Sequence, residues 1–253
     1  DSGNLAVCFE ALKNGLLGFC DRKGDSLALR LERLLQDMDL EFMYDKEVEL
    51  FHIGYDTSRE AFTDGHYDLY ASEALLSSYY CIAKEIVPAA HWKNLGRTIC
   101  EDWGRMYVKS WTGTMFEYYL PTIFIPVIKH TFNEQMLKSV FFAQRLRNTH
   151  LPWGNSESEY YLFDEMLYYQ YRAFGVQKLA LKKRQDLDNV ISPYSSFLTL
   201  PFYAKASLEN LDRLEKYSMY GKYGFYEALD FDRSRVGHGF AVLKSFMAHH
   251  LGM

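Results

Sequence analysis

The apolar positions of this chain recur mostly at helical spacing. Leu27, Leu31, Leu34, Leu35 and Met38 form one stripe among Arg30, Glu32 and Arg33, the pattern of an amphipathic helix. A long helix is predicted over 67–86, where Leu75, Tyr79, Ile82 and Ile86 share a face and Asp64 or Asp68 could cap its start. Pro88 would open a short helix through "PAAHWKNL". "TGTMFEYYLPTIFIPVI" is apolar almost all round, which predicts a buried helix kinked or ended at Pro121 and Pro126. Further helices are predicted over 132–147, near 173–184, 193–204 and 206–217, and through "FAVLKSFMAHH".

Three stretches break this period. In "EFMYDKEVELFHIGYD", residues 41–56, two short apolar runs flank "DKE", which predicts a small β-hairpin. "LPWGNSESEYYLFDE", residues 151–165, has the clean period of neither helix nor strand and reads as a loop, as does "GKYGFYEALDFDRSR". Short connections between such helices predict one all-α domain over 1–253 with a single hairpin.

At 253 residues, 48% of them hydrophobic, the chain can bury a sizeable core. Its formal net charge of −5 gives no electrostatic claim on nucleic acid. No apolar run approaches the ~18 residues of a membrane span, so no membrane contact is expected from this segment. The start, "DSGNLAVCFE", lacks the basic region of a signal peptide. Cys8, Cys20, Cys81 and Cys100 have no CxxC spacing and read as free thiols of a reducing, cytoplasmic compartment. His249 and His250 are adjacent and face different sides of a helix, so no metal is expected. GxSxG, HExxH, P-loop and GxGxxG patterns are absent, and no cofactor is expected.

Aromatics make up 17% of the chain, and four segments set them or glycine beside an acid. They are "HYDLYASEA" (Asp68, Glu73), "SWTGTMFEYYLP" (Trp111, Glu117), "PWGNSESEYY" (Trp153, Glu157, Glu159) and "KYGFYEALDF" (Tyr223, Tyr226, Glu227). A carboxylate inside an apolar helix, as at Glu73 and Glu117, costs free energy unless it is hydrogen-bonded or paired. Each taken alone is an ordinary core acid or helix cap. Together they suggest glycoside hydrolysis, which uses one carboxylate as acid and a second as nucleophile or base, with flat aromatics stacking on sugar rings.

These segments fall in order along a known family. "DSGNLA", "YDKEVELFHIGYD", "HYDLYASEA", "HWKNLGR", "SWTGTMFEYYLP", "PWGNSESEY", "YQYRAFGV", "PYSSFLTL", "GKYGFYEALDF" and "MAHHLGM" span essentially the whole chain. The sequence resembles the glycoamylase-like family, which includes the cyclization domain of cyclic β-1,2-glucan synthases and endo-β-1,2-glucanases. The resemblance implies an (α/α)6 toroid that binds β-glucan and cleaves or cyclizes it. The helices predicted here are too few for a whole toroid, so the barrel is expected to be incomplete at its N-terminus and the chain a piece of a larger synthase. Such a parent could be membrane-bound, or periplasmic if a secreted glucanase.

By resemblance Glu157 is the general acid/base and Glu73 the opposing carboxylate, with Glu117 and Glu227 binding sugar hydroxyls or supporting that pair. Asp68, Trp111, Trp153, Glu159, Tyr160, Arg172, Tyr223 and Tyr226 complete the expected sugar-binding set, Trp153 stacking on a glucose ring and Gly154 letting the backbone approach it. Asn155 and Glu159 depart from the family's usual residues. The alternative is a glucan-binding or scaffolding module without catalysis.

Overall fold

The computed structural model describes residues 2–19, 22–102, 104–183 and 188–253. Cys20 lies outside them. The described residues hold more helix than strand, yet the strands form several small sheets rather than the one hairpin expected. The chain divides into two compact units, Asp1–Tyr70 with Ala74–Arg97, and Ala71–Glu73 with Thr98–Met253.

The first unit begins with α1 (Ser2–Phe19) and α2 (Arg22–Gln36), which pack on each other. Lys13 of α1 ties them by pairing with Glu32 of α2 at 2.6 Å, while Glu10 on its own helix holds it at 2.9 Å. The predicted stripe lies on α2 and just beyond it, with Leu31, Leu35 and Met38 half-buried but Leu27 and Leu34 exposed. The predicted hairpin forms from β1 (Tyr44–Asp45) and β2 (Leu50–His52). After a second small pair, β3 (Tyr55–Asp56) with β4 (Ala61–Phe62), β5 (His66–Tyr67) joins β2 as a third antiparallel strand. Tyr44 and Phe51 bury against Leu40, Cys81 and Val87.

That third strand shortens the helix expected over 67–86. Tyr67 pairs with Phe51, Leu69 bridges to Gly96, and α3 spans only Leu75–Ala83. Ala74 precedes it without a side-chain cap, so neither Asp64 nor Asp68 serves as one. After Pro88 comes α4 (His91–Asn94), whose buried His91 ring lies 2.8 Å from both the Glu49 carbonyl and Ser78 Oγ.

In the second unit β6 (Ile99–Asp102) and β7 (Arg105–Val108) form a hairpin. The apolar stretch expected to be one long helix is instead α5 (Met115–Tyr119) and a 3₁₀ turn, Leu120–Ile123, that places Pro121 in its first positions. The stretch is buried from Met115 to Pro121 except for the half-buried Phe116, whereas Ile123 and Ile128 are exposed. α6 (Phe132–Arg147) matches its predicted range, with the Thr131 hydroxyl accepting from Glu134 N–H.

The loop expected over 151–165 extends only to Ser156. β8 (Glu157–Phe163) follows and pairs with β9 (Tyr169–Ala173), with a bulge between Tyr160 and Phe163. The helix expected near 173–184 is therefore absent among the described residues, which hold only a 3₁₀ turn at Gln177–Leu179.

Next come β10 (Val190–Ile191) and α7 (Tyr194–Glu215). α7 leaves helical geometry at Tyr203, two residues after Pro201, which agrees with the two helices predicted there. The expected loop at 221–235 is in fact partly ordered: β11 (Tyr220–Gly221) pairs with β12 (Gly224–Phe225), and β13 (Ala228–Asp230) precedes α8 (Arg233–Val236). The last predicted helix is replaced by β14 (Ala241–Leu243) and α9 (Ala248–Leu251). β13 lies between β10 and β14 in an antiparallel sheet, and Ile191 and Leu229 bury against Leu211, Leu214 and Met219. No described helix is long and apolar enough to cross a membrane.

Candidate active site

The second unit gathers Glu73, Glu117 and Glu157. Glu117 sits at the start of α5, where a capping box forms with Thr114. Its Oε2 accepts from Ser110 Oγ, Thr112 Oγ1, Thr114 N and Thr114 Oγ1, each at 2.8 Å, and its Oε1 accepts from Thr112 N at 2.8 Å. Five donors account for a buried carboxylate. Gly113 makes the tight turn possible: its φ is +74°, and a Cβ there would meet the Val176 carbonyl oxygen at 2.5 Å.

Glu157 opens β8. Its Oε2 accepts from the Tyr171 hydroxyl at 3.1 Å. The pairing explains this contact, because Glu157 faces Ala173 and so has Tyr171 as its same-face diagonal neighbour. Burial pushes the Glu157 carboxyl above its usual range, the Glu117 charge adds to the rise, and Tyr171 and His250 oppose it. Glu73 accepts from the Ser72 hydroxyl at 3.2 Å. Burial first, then the charges of Glu117 and Glu157, holds its carboxyl up at about 7. The charges of Glu117 and Glu157 thus both bear on Glu73, and that of Glu117 bears on Glu157.

A second cluster continues from Glu157. The Tyr194 hydroxyl lies 3.0 Å from the Glu157 carbonyl oxygen and 2.6 Å from Ser156 Oγ. The His250 ring stacks on Tyr194 with centroids 4.3 Å apart, and its Nδ1 lies 2.7 Å from Glu227 Oε1. His250 Nε2 is buried without a protein partner. Tyr194, Glu227 and His250 line a cavity of about 290 Å³ together with Phe197, Tyr226 and Phe246. Such a lining, apolar with a few aimed polar groups, suits a sugar ring.

The other expected binding residues are placed unevenly. Tyr226 lines the cavity, Tyr223 is 71% exposed, and Trp111 is 57% exposed. Trp153 is only 3% exposed and packs edge-on against Phe141. Gly154 admits a close approach, but to Ser192 and Ser195, where a Cβ would meet the Ser195 Cβ at 2.9 Å. Arg172 alternates to the face opposite Tyr171 and pairs with Asp188 at 2.9 Å. Tyr160 packs against Phe174 and under Arg235. Glu159 shares the face of Glu157 and accepts from the Ser245 hydroxyl. Asp68 is exposed in the first unit.

Tyr171, Tyr194 and His250 escaped the sequence reading. Strand alternation in "ESEYY" and "YQYRA" could have paired Tyr171 with Glu157. The adjacency that set His250 aside for a metal said nothing about its pairing with an acid. Cys8, Cys81 and Cys100 carry free thiols, as expected.

Comparison with known proteins bears on this site. The Glycoamylase family model, described as "Putative glucoamylase", matches residues 66–253. The cyclic beta-(1,2)-glucan synthase NdvB of Rhizobium meliloti (strain 1021) is 36% identical over 251 residues, which is 96% of this chain and 8% of that protein. The endo-beta-1,2-glucanase from Talaromyces funiculosus, solved with sophorose, superposes with a TM-score of 0.73 at 13% identity, over 96% of this chain and 55% of that one. The endo-beta-1,2-glucanase from Chitinophaga pinensis, solved with sophorotriose and glucose, gives a TM-score of 0.62 at 14% identity, over 89% and 57%. This chain thus spans a small fraction of the curated relative and little more than half of each solved structure. Since the family model covers most of its residues, including Glu73, Glu117, Glu157, Glu227 and His250, the chain belongs to the glycoamylase family.

Proposed function

We propose that this chain cleaves or transfers β-1,2-linked glucan with Glu73 and Glu157 as its carboxylate pair. The observation that carries the reading is the convergence of Glu73, Glu117 and Glu157, linked through Tyr194 and His250 to an aromatic cavity. The similarity to a cyclic β-1,2-glucan synthase and to endo-β-1,2-glucanases supports the substrate class. On the same reading the two units belong to one (α/α)6-toroid domain, and further domains of a larger synthase are its partners. The overlap with glucanases over little more than half their length supports that view.

The chemistry divides between the two acids. Resemblance gives the proton to Glu157, but burial and two neighbouring charges favour Glu73 as the group that holds it near neutral pH. Glu73 donates that proton to the glycosidic oxygen as the bond to the anomeric carbon breaks. Glu157, kept competent as an anion by the Tyr171 hydroxyl, either attacks the anomeric carbon or takes the proton of an incoming hydroxyl. The two routes give opposite anomers. Glu227 and His250 hold a sugar hydroxyl at His250 Nε2, and Glu117 fixes the loop beneath them.

The test follows products from linear β-1,2-glucan, with a nitrophenyl sophoroside as a substrate that needs no acid. Glu73→Gln should lose about 10²–10⁴ in rate on glucan and recover on the nitrophenyl substrate. Glu157→Gln should fail on both. Recovery by Glu157→Gln alone reverses the assignment, and full activity in both variants removes it. Glucan binding without any product from the unaltered chain establishes the binding module instead.

A further inference from the structure

Asp45, His52 and His66 come from three adjacent strands of the first unit, β1, β2 and β5. The register sets His52 opposite His66 and Asp45 opposite Leu50. Leu50 and His52 share a face because alternate strand residues do, so all three polar side chains stand on one face of the sheet. One ligand atom from each lies within 4.8 Å of the others. Linear spacing hides this group, since Asp45 and His66 are 21 positions apart.

An ordinary ion pair accounts poorly for the arrangement. Asp45 Oδ1 is used by its own turn, accepting from Glu47 N–H at 2.8 Å and Val48 N–H at 3.3 Å. Oδ2 alone is left for two rings, with His66 Nε2 at 3.1 Å and His52 Nε2 at 3.7 Å. The ring centroids are 4.5 Å apart. Protonating both rings would set two positive charges side by side, whereas a divalent cation among them takes a lone pair from each. The His52 ring is held in place by stacking on Phe62, with centroids 4.1 Å apart and planes 11° off parallel. Side-chain exposures of 17%, 23% and 25% for His52, Asp45 and His66 leave solvent access to a fourth position.

We propose that Asp45, His52 and His66 bind a divalent cation of the zinc class through two imidazole nitrogens and one carboxylate oxygen, with water in the open position. Mixed nitrogen and oxygen donors favour zinc over calcium or magnesium, which take oxygen ligands. Bonds of about 2.0–2.1 Å draw the ligand atoms to about 3.4 Å of one another, which needs only small side-chain rotations. His52 Nδ1 is buried without a hydrogen-bond partner. Outer-shell partners contribute about 10–100-fold in affinity, so the ion here exchanges readily with chelators.

Equilibrium dialysis of the untagged chain against zinc, followed by elemental analysis, tests the proposal. It is done in a Cys8→Ser background, because the exposed Cys8 thiol competes for zinc. One zinc per chain is expected, with cobalt giving the visible spectrum of nitrogen and oxygen ligands. His52→Ala, His66→Ala and Asp45→Asn should each weaken binding at least about tenfold, since each removes a direct ligand. Asp45→Asn keeps an oxygen for the Glu47 and Val48 amides, so it carries the test if a histidine variant misfolds. Zinc bound equally by the unaltered chain and Asp45→Asn, or no zinc bound at all, overturns the proposal.

Discussion

Replacing Glu73 with Gln should make the folded protein more stable near and above neutral pH while lowering the proposed activity on glucan. The Glu73 carboxyl stands at about 7 in the fold against 4.5 for an unperturbed Glu, raised by burial and then by Glu117 and Glu157. Between those values the folded state keeps a proton that the unfolded state has released. Stability therefore falls as pH rises through that window and stays reduced above it. The gap between 4.5 and about 7, at about 1.36 kcal/mol per pH unit, gives an upper figure of about 3.4 kcal/mol. Residual solvent contact at Glu73 lowers this to about 2–3 kcal/mol. Gln matches Glu in size, can keep the Ser72 contact and bears no ionisation cost. At about 2–4 °C per kcal/mol for a unit of this size, the variant should melt about 4–12 °C higher near pH 8. Below about pH 4 the two proteins should melt together, because Glu73 is then neutral in both states. Paired melting curves across this pH range make the comparison, and titrations elsewhere in the chain cancel. A stability gap that does not change with pH, or a variant less stable than the parent at alkaline pH, would refute the reasoning.

Glu117→Gln should destabilise the fold by about 1–3 kcal/mol in urea unfolding, since an amide oxygen can serve the four-donor side but leaves the Thr112 N–H facing an NH₂ group. An inactive variant of unchanged stability would show instead that Glu117 acts on the sugar. Tyr171→Phe removes a hydrogen bond that holds the Glu157 carboxyl down, so the acidic limb of the pH–rate profile should move to higher pH. A limb that stays in place or moves down would separate Tyr171 from the ionisation of Glu157.

Sequence patterns were most legible where local and tertiary signals agreed. α6 has its cap at Thr131 and its apolar period in step, and its bounds match the expectation. The break in α7 follows Pro201 as a backbone constraint must. Where apolar residues ran on without a period, as in "TMFEYYLPTIFIPVI" and "FAVLKSF", composition did not fix the element type, and turns and strands appeared in place of helices. Of the acids with aromatic neighbours, Glu73, Glu117 and Glu157 gather in the second unit. Their individual roles depended on which face of a strand each residue took, and that is set by pairing partners far along the chain. Trp153 reads like a sugar platform beside Gly154 and Glu157, yet the backbone turns it inward, with its main-chain N–H donating to Asn210 Oδ1. His250 gains its meaning from Glu227, 23 positions away.

The bulge between Tyr160 and Phe163 has a consequence for engineering. Glu157 and Tyr171 meet at the base of the β8–β9 hairpin, on the near side of that irregularity. A slip of one residue at the base would turn Ser158 and Arg172 toward the carboxylates and carry Glu157 to the other face. The tip closes on itself, with Asp164 Oδ1 accepting from Met166 N–H at 2.8 Å and Tyr168 N–H at 2.9 Å, and it exposes Met166, Leu167 and Tyr168. Chain length at the tip is thereby uncoupled from the alignment of the base. Segments grafted between 164 and 168 can reshape what the hairpin reaches while the spacing of carboxylate and phenol stays fixed, making this turn the natural insertion point for redesign.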